Sequence, residues 1–484
     1  MIMRLKILQN RHLAAGLILW AASFCLPLST AIAGRSTKPL AEPTTTVIEN
    51  VSVIPMTPSG VVLPDATVVI ENGRVVSLQG PIPKGAKRID GKGKWLIPGL
   101  TDMHVHLLSD GSSRPPKYPT EAPTMLFDTQ DIMTPYIANG VTQVVNLDAV
   151  AASVGQRNEI AKGSVLGPHM ALAAVINGGD GRGRVANTPA DGRQAVRGIK
   201  AEGYDFVKVY SDLNTETFLA IVAEAGKQGM KVLGHIPEAF EGKLESAFVP
   251  GFSMVAHAEE FSKHSAEFTD EDAVRFAKLA KKNGTWVTPT LVAMRWIASE
   301  TRSLDEMKAS PHLKYAHPLL QSKWVVANRY HKNSSPKLIA YFDNMVEFHR
   351  RLVRALKAEG VPLVAGSDAM TSGVVGGFSL QEELELLVGA GLTNEEALAS
   401  ATRLPAMWLG VDGDRGTVET GKRADLILLD ADPLADVANT RKITGVFLSG
   451  KWISRATLNA MMADLAKRNS AAKDQFDFNA LGKK

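Results

Sequence analysis

The stretch Leu96-Ile97-Pro98-Gly99-Leu100-Thr101-Asp102-Met103-His104-Val105-His106-Leu107 decides how this chain is read. Taken as a strand, it puts His104 and His106 on one face and Val105 on the other, because successive side chains point to opposite sides. Two imidazoles on one face of an apolar strand sit badly in a plain core. They make sense if that face looks into a barrel and the two rings share a metal ion. An H-x-H by itself is weak, since two ordinary hydrogen-bonded histidines would explain it too. Its weight comes from the number of later strands that end in another candidate ligand.

Downstream, strand-like and helix-like text alternate. Val141–Leu147, Met170–Val175, Phe206–Tyr210, Lys231–His235, Ser253–His257, Trp286–Thr290 and Val361–Asp368 read as short apolar strands separated by helical stretches. With the His104 strand they make eight, the pattern of a (β/α)8 TIM barrel, an α/β fold whose chemistry lies at the C-terminal strand ends. His104 and His106, Lys208, His235, His257 and Asp368 fall at or near the ends of strands one, four, five, six and eight. Singly, each has a plain reading: a satisfied core histidine for His235 or His257, a turn cap for Asp368. Lys208 is the most informative. A lysine cation inside a barrel is costly, and burial lowers its pKa from about 10.4. The neutral amine can condense with carbon dioxide to a carbamate whose two oxygens could bridge two cations. A salt bridge to Asp205 or Asp212 is the plainer alternative. The Gly-rich run Asn177-Gly178-Gly179-Asp180-Gly181 is not a G-x-G-x-x-G opening a helix, which excludes dinucleotide binding.

Both ends of the chain carry different material. Residues 1–33 read as a secretory signal: Arg4, Lys6 and Arg11 precede an apolar run from Leu13 to Leu28, and Ala31-Ile32-Ala33 offers a cleavage site. The run is short for a membrane span and no basic stop-transfer residues follow it. A periplasmic or secreted protein, with no membrane attachment after cleavage, is expected. The only cysteine, Cys25, lies in this segment, so neither disulfides nor thiolate ligands enter the mature chain. Without the three basic residues, Lys+Arg falls from 54 to 51 against 50 acidic residues, and a net charge of +1 gives nucleic acid nothing to bind. Residues 34–46 read as a tether. Short β-like pieces then occupy 47–97, with Glu71-Asn72-Gly73 as a hairpin turn, and similar pieces recur in 411–455. Together they predict a small β-sandwich built from both chain ends, clasping a barrel over 98–410, with a helical tail over 456–484.

Set in this order, the H-x-H, the strand-end Lys, the two His and the Asp resemble the amidohydrolase superfamily, and within it the prolidase-like, imidazolonepropionase-related branch. The resemblance runs from about Val47 to Val446. It is carried by Pro98-Gly99-Leu100-Thr101-Asp102-Met103-His104-Val105-His106, Gly366-Ser367-Asp368-Ala369, Leu384–Thr393 and Gly416–Leu426. It implies that His104, His106 and Asp368 hold a buried divalent metal, that His235 and His257 hold an outer one, and that carboxylated Lys208 bridges them. Zinc is the expected metal, and a small-molecule amide of dipeptide or N-acyl amino acid type the expected substrate, cleaved at its C–N bond by a metal-activated water. Asp368 would shuttle the proton to the leaving amine. Tyr210, two residues beyond Lys208 on the same strand face, is a candidate donor to the carbonyl oxygen, although a barrel-wall aromatic reads equally simply. Homo-oligomerisation is left open.

This sequence departs from the branch in four places. Gly178-Gly179-Asp180 stands where Gly-Gly-His is frequent, Ser379-Leu380-Gln381 where Ser-Leu-His is frequent, and His169 where an arginine is common. Residues 293–355 are longer than the usual connection between strands seven and eight. These departures leave the ligand set intact and bear on substrate choice. Three other readings remain. His235-Ile236-Pro237-Glu238 is an H-x-x-E that would suit a mononuclear deaminase, against which Lys208 argues. A lactonase or phosphotriester hydrolase can use the same two-metal ligands. A metal- or ligand-binding protein without turnover would have no use for Asp368 as a shuttle.

Overall fold

The computed structural model describes residues 45–109, 125–179, 183–476 and 478. The expected signal segment and tether up to residue 44, the Ser/Pro/Gly-rich loop from residue 110 on and Asp180-Gly181 lie outside the described residues. Thr45 and Thr46, expected in the tether, already belong to the first strand.

The stretch around His104 is two strands, not the single strand expected from its alternation. β1 (Thr45–Val53), β2 (Leu63–Glu71), β3 (Arg74–Ser77), β4 (Lys87–Asp90) and β5 (Trp95–Pro98) belong to a small mixed sheet, whereas β6 (Leu100–Val105) opens the barrel. Gly99 stands at the change-over, where a Cβ would collide with the Thr142 side chain. A bare backbone is what lets the chain leave one sheet and enter the next at this spacing.

β6 is followed by β7 (Val141–Asn146), β8 (His169–Asn177), the two-residue β9 (Arg184–Val185), β10 (Phe206–Val209), β11 (Lys231–Gly234), β12 (Phe252–Ala256) and β13 (Trp286–Thr288). They pair in parallel in the order β6-β7-β8-β10-β11-β12-β13, with β9 beside β8. The eighth strand, expected over Val361–Asp368, is not a continuous strand. Isolated bridges join Leu363 to Val287 and Ala369 to Val105, and Asp368 N donates to His104 O at 2.7 Å. Pro362 has no N–H to give a ladder, and Asp368 (φ 56°) and Met370 (φ 79°) turn left-handed, so regular pairing stops. The segment nevertheless closes the barrel between β13 and β6. The fold is a (β/α)8 barrel.

The second part of the small domain comes from β14 (Leu426–Leu429), β15 (Ile443–Leu448) and β16 (Lys451–Ser454), giving the order β16-β15-β14-β5-β1-β2-β3 with β4 on β1. Asn72 and Gly73 (φ 49° and 79°) turn one hairpin, and Ser449 and Gly450 (φ 49° and 79°) turn another, both with the paired positive φ of the tight hairpin loop. Ile48, Val68, Leu96, Leu426 and Phe447 share a buried cluster of their own. This is the small β-sandwich domain built from both ends. A helix over Arg455–Ala472 follows it.

Alternation along the strands sets the site. On β10, Val207 and Val209 join the outer core beneath the helices, while Phe206 joins an inner plug with Met103, Leu233, Met254 and Trp408. Lys208 shares the inward face of Phe206, one step nearer the strand's C-terminal end. On β6 the pairing with β7 shifts register between Asp102 and Val105, so Met103 enters the plug while the histidines are re-aimed, a common use of such irregularities beside active sites.

The eighth segment approaches β6 so closely that a Cβ at Gly366 would lie 2.8 Å from His104 Cβ and 2.6 Å from Thr288 Oγ1. Gly366→Ala is expected to push the segment off β6, costing about 1–3 kcal/mol by overpacking and lowering the metal content. Thermal unfolding and elemental analysis check this; an unchanged midpoint with full metal content would refute it.

Candidate metal centre

The barrel brings the six expected ligands to one place. Asp368 Oδ1 lies 2.8 Å from His106 Nε2 and 3.2 Å from His104 Nε2, and Lys208 Nζ lies 3.2 Å from the same His104 nitrogen. The His257 ring centroid is 4.5 Å from that of His104 and 5.0 Å from that of His235. Tyr210 packs its ring on His235 at 4.1 Å, with Lys208 Nζ 5.8 Å from its centroid. Lys208 is 1% exposed and His104 fully buried. Gly234 (φ 134°) makes room for the lysine stem: a Cβ there would stand 3.1 Å from Lys208 Cγ. The salt bridge considered for Lys208 involves acids with other partners, as Asp205 meets Arg157 at 3.0 Å and Asp212 accepts from Asn177 at 2.7 Å.

Two functional residues carry unusual backbone. His257 (φ 77°) and Asp368 (φ 56°) both lie in the left-handed region, a cost that persists only where the surroundings over-determine it. For Asp368 the surroundings are Asp102 and Ser367. Asp102, fully buried, accepts from His104 N at 3.2 Å and from Ser367 N at 2.9 Å through one oxygen, and from Ser367 Oγ at 2.6 Å through the other. Burial pushes its carboxyl up to about 7 against these bonds.

Each remaining imidazole is oriented through its Nδ1. His235 Nδ1 meets Glu260 Oε1 at 3.0 Å and Ser211 Oγ at 3.3 Å, and His257 Nδ1 meets Thr290 Oγ1 at 2.8 Å. Fixing Nδ1 leaves Nε2 as the available lone pair, which is how carboxylates and hydroxyls set the tautomer of metal-ligating histidines. Thr290 stands at the N-terminus of the helix Leu291–Arg302 but makes no side-chain cap there. Its hydroxyl serves His257, and buried Glu383 caps instead, accepting from Val292 N at 2.8 Å. Burial raises the Glu383 carboxyl to about 8.

These residues fit a divalent cation. His104, His106 and Asp368 each offer a ligand atom within 4.8 Å of the others, the one such group among the described residues. Burial holds His104 and His257 well below the ordinary imidazole range, so both are neutral with lone pairs to give. The Asp368 carboxyl lies well below its usual range, with burial opposing its ionisation and the hydrogen bond with His106 favouring it. The Nδ1 atoms of His104 and His106 are buried without a hydrogen-bond partner among the described residues. Such convergence of nitrogen and oxygen donors is costly in a dry site without a cation and ordinary with one.

Two of the departures noted in the sequence have structural partners elsewhere, while the long 293–355 connection reaches Met370, two positions past Asp368, through Trp324. His169 pairs with Asp425 at 3.0 Å, where β8 begins and the small sheet adjoins. Gln381 donates to Asn139 O at 2.9 Å and bonds Thr440, a structural role. Glu238, the glutamate of the H-x-x-E, is exposed in a short 3₁₀ turn, Glu238–Phe240, and the acid at His235 is Glu260 instead. Glu260, Thr290 and Asp102 were not singled out from the sequence. The pair Glu259-Glu260 following His257 in otherwise apolar text was the one available signal.

Residues 95–453 match the amidohydrolase family. The chain belongs to that family. It is similar to the imidazolonepropionase of Thermoplasma volcanium, 22% identical over 387 residues that cover 77% of this chain and 86% of that enzyme. The likeness to the imidazolonepropionase of Maricaulis maris is 36% over 105 residues, 21% of this chain and only 26% of that enzyme. In fold it resembles a Xaa-Pro dipeptidase crystallised with methionine in its active site, with TM-score 0.64, 21% identity and coverage of 85% of this chain and 100% of that one. This amidohydrolase is thus a metal-binding hydrolase of carbon–nitrogen bonds.

Because Glu260 fixes His235 through Nδ1, Glu260→Gln is expected to weaken metal retention about 10- to 100-fold while the fold survives. Metal release to a chelator followed against time measures this. Release at the parent rate would mean that Glu260 serves only Lys263 and the Ile236 backbone.

Proposed function

We propose that this amidohydrolase is an exported enzyme, freed of residues 1–33, that hydrolyses the C–N bond of a small amide of dipeptide or N-acyl amino acid type. The observation that carries the reading is the meeting of His104, His106, Lys208, His235, His257 and Asp368 at the strand ends, with both outer histidines already oriented by Glu260 and Thr290. His104, His106 and Asp368 would hold one zinc ion and His235 and His257 a second. Lys208, whose stem is buried and whose Nζ reaches the first group, would join the two as its carbamate. When bound, the two ions supply Lewis acidity and lower the pKa of water toward neutrality.

The chain's own residues then have the following tasks. Asp368, ionised and with Oδ2 accepting from Thr371 Oγ1 at 2.9 Å, takes a proton from the attacking water and delivers it to the leaving amine. Thr371 keeps that oxygen aimed. Tyr210, packed on His235 at a tilt of 31°, donates its hydroxyl proton in a hydrogen bond to the substrate carbonyl oxygen. The plug of Met103, Leu233 and Met254 below Lys208 closes the barrel to water from the other end. The dipeptide class is in keeping with the dipeptidase among the fold neighbours. A lactonase, phosphotriester hydrolase or purely metal-binding protein would leave a panel of dipeptides and N-acyl amino acids untouched by the metal-loaded protein, and that panel is the first test.

Asp368→Asn separates catalysis from metal storage. The amide cannot take a proton, so kcat should fall by three orders of magnitude or so with KM little changed and much of the metal retained. A variant within about tenfold of the parent, a difference of about 1.4 kcal/mol, would remove Asp368 from the proton path.

Lys208→Ala should lose at least one metal equivalent and most activity, and added short-chain carboxylates, filling the vacated space with two oxygens, should restore part of both. A Lys208→Met protein with two metals and full activity would show Lys208 to be structural.

A further inference from the structure

A cavity reaches one of the proposed metal ligands, His106. His106 with Leu107 and Leu108, and Met370, two positions past Asp368, with Val374 to Gly376, are in its lining, and the rest comes from three other parts of the chain. Ile132 and Tyr136 belong to the helix Thr129–Ala138, and Leu320 and Trp324 to the helix Pro318–Val326 within the long connection after β13. Leu465 comes from the helix Arg455–Ala472 that follows the small sheet. The connection is docked firmly. Trp324 Nε1 donates to Met370 O at 3.3 Å, Asn328 Nδ2 donates to Ser372 Oγ at 3.1 Å, and Tyr315 stacks on Phe378 at 5.5 Å. The cavity is therefore preformed, which spares a ligand the cost of ordering it.

Its polar lining includes His106, whose Nδ1 has no hydrogen-bond partner among the described residues, and Tyr136 and Tyr315, while Asp131, His317 and Asn469 are engaged. Asp131 is paired with Arg468, and Asn469 Nδ2 donates to Lys314 O at 3.0 Å and Ala316 O at 3.1 Å. His317 Nδ1 accepts from Leu319 N at 3.2 Å, and burial lowers that imidazole to about 4, so it carries no charge at neutral pH. Most of the rest of the lining is hydrocarbon: Leu107, Ile132, Leu320, Val374 and Val375 beside Trp324. Its free space is about 60 Å³, on a measure by which one water takes roughly 10–15 Å³. That is room for about four to six heavy atoms.

We propose that this cavity is the specificity pocket of the enzyme and receives an uncharged aliphatic group of leucine, isoleucine or methionine size, attached next to the scissile amide. The inference rests on the amide-hydrolase reading and deepens it. A charged group of the same length would have to shed its water with no counter-charge to meet it, and is excluded. A glycyl or acetyl group would leave the pocket empty, and an indole would overfill it.

The test uses the metal-loaded enzyme and two series of substrates, N-acetylated Gly, Ala, Leu, Met, Trp, Asp and Lys, and glycine N-acylated with chains of two to six carbons. One series or the other should show kcat/KM rising about 50-fold or more from the smallest group to the four-carbon aliphatic one, with the charged members last. Leu320→Trp, which fills the pocket from the connection, should collapse the Leu-to-Gly ratio about 30-fold. Trp324→Leu, which enlarges it, should shift the optimum to a longer or aromatic group. Flat profiles, preference for Asp or Lys, or equal losses on every substrate in both variants would overturn the proposal while leaving amide hydrolysis standing. If no member is turned over, the amide reading itself has failed. Calorimetric titration of the metal-loaded protein with N-acetylleucine and N-acetylaspartate then decides the pocket alone: a tenfold preference for leucine upholds it, and equal affinity overturns it.

Discussion

The buried carboxylate of Asp102 is the constraint on which the rest of this structure depends. It receives the backbone of His104 on β6 and both the backbone and hydroxyl of Ser367 on the closing segment. Those bonds do the work that a continuous eighth strand would otherwise do. Pro362 and the left-handed Asp368 prevent regular pairing, so a side chain has to hold the first and last staves together. It holds His104 and, in Ser367, the residue before Asp368, and the 2.8 Å contact between His106 and Asp368 follows from that closure. A fully buried acid would be expensive if it were left unpaired. Here it is retained because three donors meet it at the one seam of the barrel that the backbone leaves weak.

A second tier of groups converts a cluster of rings into oriented donors. Glu260 and Thr290 each fix one Nδ1, and fixing Thr290 has its own repercussion, since the helix after it then needs Glu383 as its cap. The same helix begins the long connection that ends against Met370 and Phe378. Ligand orientation and the wall of the neighbouring cavity therefore belong to one mechanical unit.

The residues that meet at the strand ends were legible in the sequence because each combines an unusual residue type with a strand end: His104 and His106 two apart, Lys208 in apolar text, His235, His257 and Asp368 after their own runs. The partners were not. Asp102, Glu260 and Thr290 are ordinary residues whose meaning comes from neighbours far away in the chain, and no local periodicity marks them. The change-over at Gly99 was legible as a domain boundary between residues 97 and 98, although 96–107 also reads as one strand. The collision that a side chain at Gly99 would make with Thr142 shows where one sheet ends. The eighth strand was readable as hydrophobic text but not as irregular backbone. The long connection was visible as an insertion, whereas its contact with the C-terminal helix, which makes it one side of a cavity, depends on tertiary docking.

The swap of sheets at Gly99 also fixes an order of events. β5 lies between β1 and β14, and its pairing of Pro98 with Leu426 spans more than three hundred residues. Until the whole barrel has been made, β5 lacks the strand that covers its far edge, and its buried residues Leu96 and Ile97 stay exposed. Contacts this distant in sequence form late and slowly. A nascent chain would therefore carry an open, apolar strand edge through most of its synthesis, with the first metal ligands only a few residues beyond it. For a chain of this design the vulnerable period is assembly, when that edge can pair with a neighbouring molecule instead of with its own carboxy-terminal strand.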